Sequence, residues 1–301
     1  MDPVLVVLAA GMGSRFGGMK QMTPVDDDGR FIIDYSLHDA YHAGFRRVAF
    51  VIKREMETAF RQSIGRRAER DFQVSYVFQE LSALPEGYSV PAVRKKPWGT
   101  AHAVACCRGV VDAPFAVINA DDFYGRRAYE TVYRFLTQDC DAHTYAMVGY
   151  RLRNTVTPFG SVARGICTEK GGFLTSVTER TKIFQRGEDA AFTEDGKTFF
   201  PLPGNTIVSM NFFAFHPRFL DEIWSCFPTF LDENLPRNPE KCELYLPDVV
   251  TAELEAKTAR VRLLPCDEVW HGVTYHDDLP SVVSALAALR QQGLYPAHLR
   301  E

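Results

Sequence analysis

The segment Leu8-Ala9-Ala10-Gly11-Met12-Gly13-Ser14-Arg15-Phe16-Gly17-Gly18-Met19-Lys20-Gln21 follows directly on an apolar run and is the most informative stretch of the chain. Glycines in such a loop allow backbone N–H groups to point into one concavity, which suits phosphate oxygens. Arg15 and Lys20 add positive charge where a polyphosphate would lie. An isolated glycine loop is about as often a plain turn with exposed cations, and the paired cations favour phosphate binding.

The loop matches neither of two familiar phosphate-binding patterns. It lacks the Gly-Lys-Ser/Thr ending of the Walker A motif, and it is not the G-x-G-x-x-G of dinucleotide-binding domains. A P-loop ATPase and a dehydrogenase are therefore both disfavoured.

Short β-branched runs alternate with stretches of helical periodicity in the first half, which predicts a parallel sheet with crossover connections. The predicted strands are Val4–Leu8, Arg47–Ile52, Val74–Phe78 and Phe115–Ile118. The predicted helices are Asp34–Ala43 closed by Gly44, Glu55–Ile64 and Thr100–Cys107. From Ala142 onward the pattern predicts the extended pieces Tyr145–Leu152, Gly160–Ala163, Phe173–Thr178 and Ile207–Phe215, and then a terminal amphipathic helix, Leu279–Gln291.

The composition of the 301 residues is that of an ordinary globular protein, with 46% hydrophobic and 24% charged side chains. The net charge of −4 offers no general basic field for nucleic acid. Seven cysteines without a C-x-x-C pair predict a reducing compartment. The opening run Val4–Ala10 is too short for a signal peptide, and no apolar run approaches the length of a membrane span. We therefore expect a cytoplasmic protein without a nucleic-acid or membrane partner, and the sequence leaves its oligomeric state open.

Several motifs in order resemble the nucleotidyltransferase family that includes the sugar-1-phosphate nucleotidylyltransferases, whose opening signature is L-A-A-G-x-G-x-R followed by Lys. The matching segments after Lys20 are Pro24-Val25, Ile32–Val51, Trp98-Gly99-Thr100-Ala101-His102-Ala103, Asn119-Ala120-Asp121, Pro158-Phe159-Gly160, Glu179–Lys182, Ser209-Met210-Asn211 and Tyr245-Leu246-Pro247-Asp248. The resemblance covers nearly the whole chain.

The resemblance implies a Rossmann-like three-layer α/β/α fold with a mixed, mostly parallel sheet. It implies one domain over residues 1–301, with a nucleotide-binding half, 1–140, and an acceptor-binding half with the C-terminal helix, 141–301. The implied reaction is Mg²⁺-dependent transfer of NMP from an NTP to a phosphorylated small molecule, foremost a sugar 1-phosphate, with release of pyrophosphate. Such an activity belongs to nucleotide-sugar biosynthesis.

The resemblance also implies roles for single residues. Arg15 and Lys20 are the expected catalytic residues, which stabilise charge on the α-phosphate and the departing pyrophosphate. The expected nucleotide-binding residues are Ala10, Gly11, Gly13, Gln79, Gly99 and Thr100, and Gln79 mildly favours a pyrimidine. The expected metal ligand is Asp121. The expected acceptor-binding residues are Gly160, Glu179 and Asn211, with Lys182 as a further partner for the acceptor phosphate.

Three features depart from the family pattern. The loop from Arg15 to Lys20 is short and lacks a Pro before the Lys, which is closer to the cytidylyl and molybdenum-cofactor branches. Gly272 occupies the aspartate position of a W-x-D-x-G-T motif, for which His271, Asp277 or Asp278 are candidate substitutes, although charges that open the last helix are the more ordinary interpretation. The Pro-containing loop from Leu81 to Trp98 is unusually long.

Other residues carry weaker expectations. Asp122 would complete a two-carboxylate site only if the chain turns after Asp121, because neighbours on a strand face opposite sides. For His102, packing and approach to the phosphates are equally good interpretations. For Arg94, Lys95 and Lys96, attraction of polyphosphate is one interpretation, and a solvated loop is the more ordinary one for a short run of charges. The aromatic set beside Asn211, which is Phe212, Phe213 and Phe215, is expected to be strand core.

Alternatives to a sugar nucleotidylyltransferase remain. A cytidylyltransferase acting on a non-sugar phosphate such as phosphocholine fits the short loop. A glycosyltransferase could use Asp121 and Asp122 but has no need of a triphosphate loop. A regulator that binds nucleotide sugars and has lost turnover is favoured only by Gly272.

Overall fold

Strand β1 (Val4–Leu8) is entirely apolar and lies between two parallel neighbours. Val4 is paired with Arg47 on one side and with Phe115 on the other. A strand without polar side chains needs cover on both faces of its sheet, and the fold supplies it. The computed structural model describes residues 1–11, 23–273, 275–296 and 298–299, and the elements below are those of these ranges.

The further strands are β2 (Arg47–Ile52), β3 (Gln73–Phe78), β4 (Phe115–Asn119), β5 (Asp122–Phe123), β6 (Thr144–Arg151), β7 (Val162–Lys170), β8 (Phe173–Arg186), β9 (Asp189–Phe192), β10 (Phe200–Leu202), β11 (Ile207–Phe215), β12 (Arg260–Cys266) and β13 (His271–Gly272). The helices are α1 (Ile32–Ala43), α2 (Glu57–Phe60), α3 (Arg66–Ala68), α4 (Thr100–Ala105), α5 (Arg126–Gln138), α6 (Arg218–Asn234), α7 (Leu246–Ala256) and α8 (Leu279–Gln291). Short 3₁₀ turns cover Arg54–Met56, Leu152–Asn154 and His276–Asp278, and a π turn covers Arg61–Gly65.

One large mixed sheet contains strands from both halves of the chain, in the order β10-β9-β8-β12-β6-β11-β4-β1-β2-β3. Strand β7 branches from this path, where it pairs with β8 and β11, and β5 pairs with β13 in a separate small sheet. Pairing is parallel through β3-β2-β1-β4 and between β12 and β6. The other pairs are antiparallel, and three of them, β7 with β8, β8 with β9 and β9 with β10, join consecutive strands of the chain. The expected parallel character thus describes the first half.

Helices cover both faces of the sheet, which gives the expected three layers. On one face α1 and α5 pack onto the strands through buried residues such as Ile33 and Val132. On the other face α4, α6 and α7 bury residues that include Val104, Ile223 and Val249. The chain therefore has the α/β/α architecture that the alternating pattern and the resemblance predicted.

Most of the predicted elements lie within two residues of an observed one, with exceptions where polar residues dominate. The prediction does not include α5, α6, α7 or β12. The helix predicted over Glu55–Ile64 is interrupted by the π turn Arg61–Gly65, which keeps both Phe60 and Ile64 buried. The hairpin of β7 and β8 extends well beyond the predicted pieces. Residues 179–186 of β8, beyond the predicted piece, are largely polar, and all but Ile183 are at least partly exposed. The sequence therefore shows no apolar alternation there.

The C-terminal segment docks through a buried polar contact. The Tyr295 hydroxyl donates a 2.6 Å hydrogen bond to Oδ2 of Asp39 on α1, and Arg126 Nε lies 3.5 Å from Oδ1 of the same carboxylate. Asp39 is fully buried, and this burial raises its pKa to about 7 against the pull of Tyr295 and Arg126. Within the described ranges, no helix has both the length and the apolar character that a membrane crossing requires.

Asp39→Asn tests the thermodynamic effect of this buried carboxyl. Because its pKa is raised in the folded state, Asp39 contributes stability fully below the unfolded value of about 3.9 and loses that contribution as the pH rises through about 7. We expect the melting temperature of the wild type to decline between pH 5 and pH 8, and that of Asp39→Asn to decline less.

Thermal unfolding at several pH values measures this slope, and the exposed Asp27→Asn is the control that should keep the slope of the wild type. Equal slopes in the wild type and Asp39→Asn would contradict the assignment.

Candidate functional site

Two pockets open beside the carboxyl ends of the central parallel strands, where ligands bind in open α/β sheets. The β1 pocket is lined by Leu8, Ala10, Gly11, Gln79, Lys95, Lys96, Pro97, Gly99, Thr100, Ala103, Glu240, Lys241 and Glu243. The β11 pocket is lined by Asn119, Asp122, Ala163, Arg164, Gly165, Glu179, Ser209, Met210, Asn211, Pro247 and Trp270. Leu8 and Asn119 are register partners on β1 and β4, so the two pockets adjoin.

The β1 pocket brings together five of the predicted nucleotide-binding residues, namely Ala10, Gly11, Gln79, Gly99 and Thr100. Gln79 follows β3, and its Nε2 donates a 2.9 Å hydrogen bond to the carbonyl oxygen of Gly99, which precedes α4. Residues distant in sequence thus form one wall. Gly13, Arg15 and Lys20 lie outside the described residues.

A backbone ladder fixes the position of Gly99 in this wall. Leu244 N donates to the Trp98 oxygen at 2.9 Å, and Ala101 N donates to the Leu244 oxygen at 3.1 Å. Gly99 has φ +104°, and an added Cβ would overlap the backbone of Leu244. Close approach and positive φ both require glycine here.

The long loop before α4 is held by its own side chains. Arg94 is buried, stacks 3.4 Å above the Trp98 ring, and donates to the backbone oxygens of Cys242 at 2.6 Å and Pro239 at 3.1 Å. The expectation that the whole basic run is a solvated loop is therefore wrong for Arg94. The next two residues, Lys95 and Lys96, line the β1 pocket, where Lys96 forms an ion pair with Glu243.

The β11 pocket depends on an irregularity in β11. The register with β6 shifts between Ser209 and Phe213, and Asn211 has φ +60° inside the shifted segment. Bulges of this kind redirect side chains, and non-glycine residues with positive φ are typical of functional sites. The bulge places Ser209, Met210 and Asn211 together in the pocket wall.

Two oppositely charged side chains line the same pocket. Arg164 is buried, lies 4.6 Å from the Trp270 ring centroid and donates to the oxygens of Thr155 and Ala163. Burial lowers the pKa of Arg164 to about 10, so it stays charged at neutral pH. Solvent reaches Glu179, yet partial desolvation in the pocket still raises the pKa of this carboxyl.

Sequence reasoning missed Arg164. The available signal is an arginine inside a strand, between the buried residues Val162 and Gly165. A charge at a buried strand position requires a reason, because burying it is costly unless it finds partners.

The chain turns at Ala120 and Asp121, between β4 and β5. Strand β4 ends at Asn119, and Asp122 begins β5 as a buried residue in the β11 pocket wall. Its Oδ2 accepts hydrogen bonds from Asn119 Nδ2 at 2.9 Å and from the Tyr124 hydroxyl at 3.2 Å. Asp121 is partly buried beside it.

Gly272 pairs directly with Asp122 across the small sheet. A Cβ at Gly272 would lie 3.0 Å from Asp122 Oδ1 and would overlap the Trp270 ring. Of the candidate substitutes, Asp278 instead accepts hydrogen bonds of 2.7 Å from Thr157 and from Tyr275 N at the start of the last helix. The carboxylate beside Gly272 is therefore that of Asp122.

The structure does not bring every predicted residue into the pockets. Gly160 lies so close to the Tyr275 ring that a Cβ would be 2.6 Å from it, and Lys182 is exposed on β8. Neither is among the residues that line the β11 pocket. His271 lies against the Phe123 ring, and burial lowers its pKa.

Three aromatic residues, Phe212, Phe213 and Phe215, are buried as expected. Within the described part of the chain, no group of three or more His, Cys, Asp or Glu side chains is arranged to hold a metal ion.

Comparisons with known proteins agree on the fold. The family model described as Nucleotidyl transferase matches residues 4–287. The structure of UDP-glucose pyrophosphorylase complexed with UDP-glucose aligns with a TM-score of 0.60 and 17% identity, over 96% of this chain and 100% of that one. A putative glucose-1-phosphate thymidylyltransferase from Bacillus anthracis, in complex with a sucrose, aligns with a TM-score of 0.61 and 12% identity, over 93% and 94%. The inositol-1-phosphate CTP transferase from T. maritima aligns with a TM-score of 0.64 and 13% identity, over 96% and 97%. Among curated proteins no match is found.

Gly99→Ala tests the close approach that shapes the β1 pocket. We expect it to lower the free energy of unfolding by more than the matched change Gly109→Ala, whose φ is +75° and whose Cβ would meet no atom within 4 Å. The control incurs only the backbone cost, about 1 kcal/mol, whereas Gly99→Ala must also displace the Leu244 backbone. Urea unfolding of both variants measures the difference, and equal losses would contradict the contact.

Proposed function

Because the chain belongs to the nucleotidyl transferase family, we propose that it transfers NMP from an NTP to a sugar 1-phosphate and releases pyrophosphate. The observation that carries the proposal is the pair of adjoining pockets. One is lined by Ala10 and Gly11, where the glycine segment begins in the sequence, and the other is lined by hydrogen-bonding groups around the buried Arg164.

The proposed reaction requires alignment of the NTP and the acceptor phosphate more than it requires acid–base catalysis. A phosphate oxygen of the acceptor attacks the α-phosphorus in line, the bond to the bridging oxygen breaks, and pyrophosphate leaves with that electron pair. The acceptor phosphate is already anionic at pH 7, so the main task is to hold two anions together. Arg15 and Lys20 would stabilise the charge that develops on the phosphoryl oxygens, and the backbone at Ala10 and Gly11 would contact the phosphates.

Asp121 and Asp122 would hold Mg²⁺. The donor set fits this ion, because Mg²⁺ takes one or two carboxylates together with phosphate oxygens and water. Asn119 and Tyr124 orient Asp122 through Oδ2, while Oδ1 faces Gly272. When bound, the ion would supply positive charge at the phosphates.

The lining of the β11 pocket favours a sugar over phosphocholine as the acceptor. A quaternary ammonium group is best recognised by an open aromatic face, and the guanidinium of Arg164 already covers Trp270. Ser209, Asn211 and Glu179 offer hydrogen-bonding groups that suit sugar hydroxyls, and Arg164 offers charge for the phosphate.

A pyrophosphate-release assay with Mg²⁺ tests the reaction. It crosses ATP, GTP, CTP, UTP and dTTP with a panel of sugar 1-phosphates and phosphocholine, and mass spectrometry identifies the product. We expect Lys20→Ala and Asp121→Ala each to lower kcat roughly 10²–10³-fold, because each removes charge that opposes the charge of the transition state.

Lys170→Ala, at an exposed lysine on β7, is the matched control and should turn over like the wild type. Full turnover by Lys20→Ala and Asp121→Ala with an identified substrate pair would rule the mechanism out.

Glu179→Gln tests the acceptor pocket separately. Loss of a charged hydrogen-bond acceptor for sugar hydroxyls should raise the KM for the sugar 1-phosphate roughly tenfold, given about 1.5–3 kcal/mol for hydrogen bonds to charged groups. The KM for the NTP should stay within about twofold of the wild type, because Glu179 does not line the β1 pocket. Steady-state kinetics with one substrate varied at a time measures both values.

The exposed Glu233→Gln is the control and should change neither value. An unchanged acceptor KM in Glu179→Gln would remove Glu179 from the acceptor site.

A further inference from the structure

A buried histidine lies behind the wall of the β1 pocket. One of its two ring nitrogens faces Gln79, which lines that pocket. His102, in the first turn of α4, is fully buried. Its Nδ1 lies 3.3 Å from Gln79 Nε2, and its Nε2 lies 2.7 Å from the carbonyl oxygen of Ala83 in the long loop. The Phe227 ring and the Cys106 sulfur also lie beside the His102 ring.

These contacts determine which ring nitrogen carries the hydrogen. The carbonyl oxygen of Ala83 can only accept, so Nε2 of His102 carries the hydrogen. Burial lowers the pKa of His102 to about 4, so the ring is neutral at pH 7. Nδ1 is therefore a hydrogen-bond acceptor that faces the amide of Gln79.

The orientation of the Gln79 amide follows from the same argument. The Gly99 carbonyl oxygen is an acceptor, and so is Nδ1 of His102, and both lie within hydrogen-bonding distance of Gln79 Nε2. The two hydrogens of the NH₂ group are thereby used within the protein. The atom that Gln79 offers to a ligand is its carbonyl oxygen, Oε1.

We propose that His102 is a positioning residue for nucleotide choice, which holds Gln79 so that the β1 pocket presents a fixed acceptor to the base. The pocket then selects a nucleotide whose base edge offers an N–H group at that point. This inference rests on the proposed function, because it takes the β1 pocket as the NTP site.

The test is a comparison of binding between an NTP and its methylated analogue. Isothermal titration calorimetry with UTP, dTTP, CTP, GTP and ATP first identifies the NTP that binds tightest. The analogue carries methyl in place of hydrogen on the N–H donor of that base edge, for example N3-methyl-UTP for UTP. We expect the wild type to bind the analogue about tenfold more weakly, since a buried acceptor without a partner is costly.

Two substitutions separate the two contacts of His102. Asparagine places its amide near the position of Nδ1, and glutamine places its amide near the position of Nε2. We expect His102→Asn to keep the tenfold ratio, and His102→Gln to bring it within about threefold. Gln79→Ala should abolish the ratio, because it removes Oε1 and leaves room for the methyl group.

Each outcome has a defined meaning when circular dichroism shows a folded variant. A wild-type ratio near one, or a tenfold ratio kept by His102→Gln, overturns the inference while the proposed function stands. If His102→Gln does not fold, the other two variants decide. The inference is overturned if His102→Asn loses the tenfold preference for the NTP over its methylated analogue, or if Gln79→Ala keeps that preference. Failure of the wild type to bind any NTP overturns the proposed function and this inference with it. The exposed His143→Gln is the control and should keep the wild-type ratio.

Discussion

The parallel register of β1 with β4 is the constraint on which both pockets depend. It places Leu8 opposite Asn119, and Ala120 N extends the pairing by donating to the Leu8 oxygen at 3.0 Å. Because both strands end at one edge, the glycine loop after β1 and the acidic turn after β4 start side by side. Ligands bind at this edge in open α/β sheets, and Asp121 and Asp122 follow β4 there, beside the start of the glycine segment.

The features predictable from the sequence were those encoded by local patterns. Strands β1, β2 and β11 occur where runs of apolar residues predicted them, because burial on both faces leaves a clear mark. Gly44 ends α1 as expected, with φ +121°. The motif resemblance also named the residues Gln79 and Gly99, which the fold brings into hydrogen-bonding contact.

What the sequence could not provide depends on contacts between distant segments. The proximity of Asp122 to Gly272 exists only because β5 pairs with β13. The guanidinium of Arg164 packs against the ring of Trp270, which is more than a hundred residues away in the sequence. The buried state of Arg94 likewise depends on the carbonyl oxygens near Cys242, which no spacing rule indicates. A single sequence shows the residue types in these places but not which of them face each other.

The segment from Glu243 to Pro247 connects the two pockets, because Glu243 lines the β1 pocket and Pro247 lines the β11 pocket. Leu244 pairs with the backbone on either side of Gly99, Leu246 N donates a 2.9 Å hydrogen bond to the Thr100 hydroxyl, and Pro247 lines the β11 pocket. A displacement of this segment alters the two cavities together. Thermodynamic linkage then requires reciprocity. If a ligand in one pocket changes the affinity of the other pocket for its ligand by some factor, the second ligand changes the affinity for the first by the same factor.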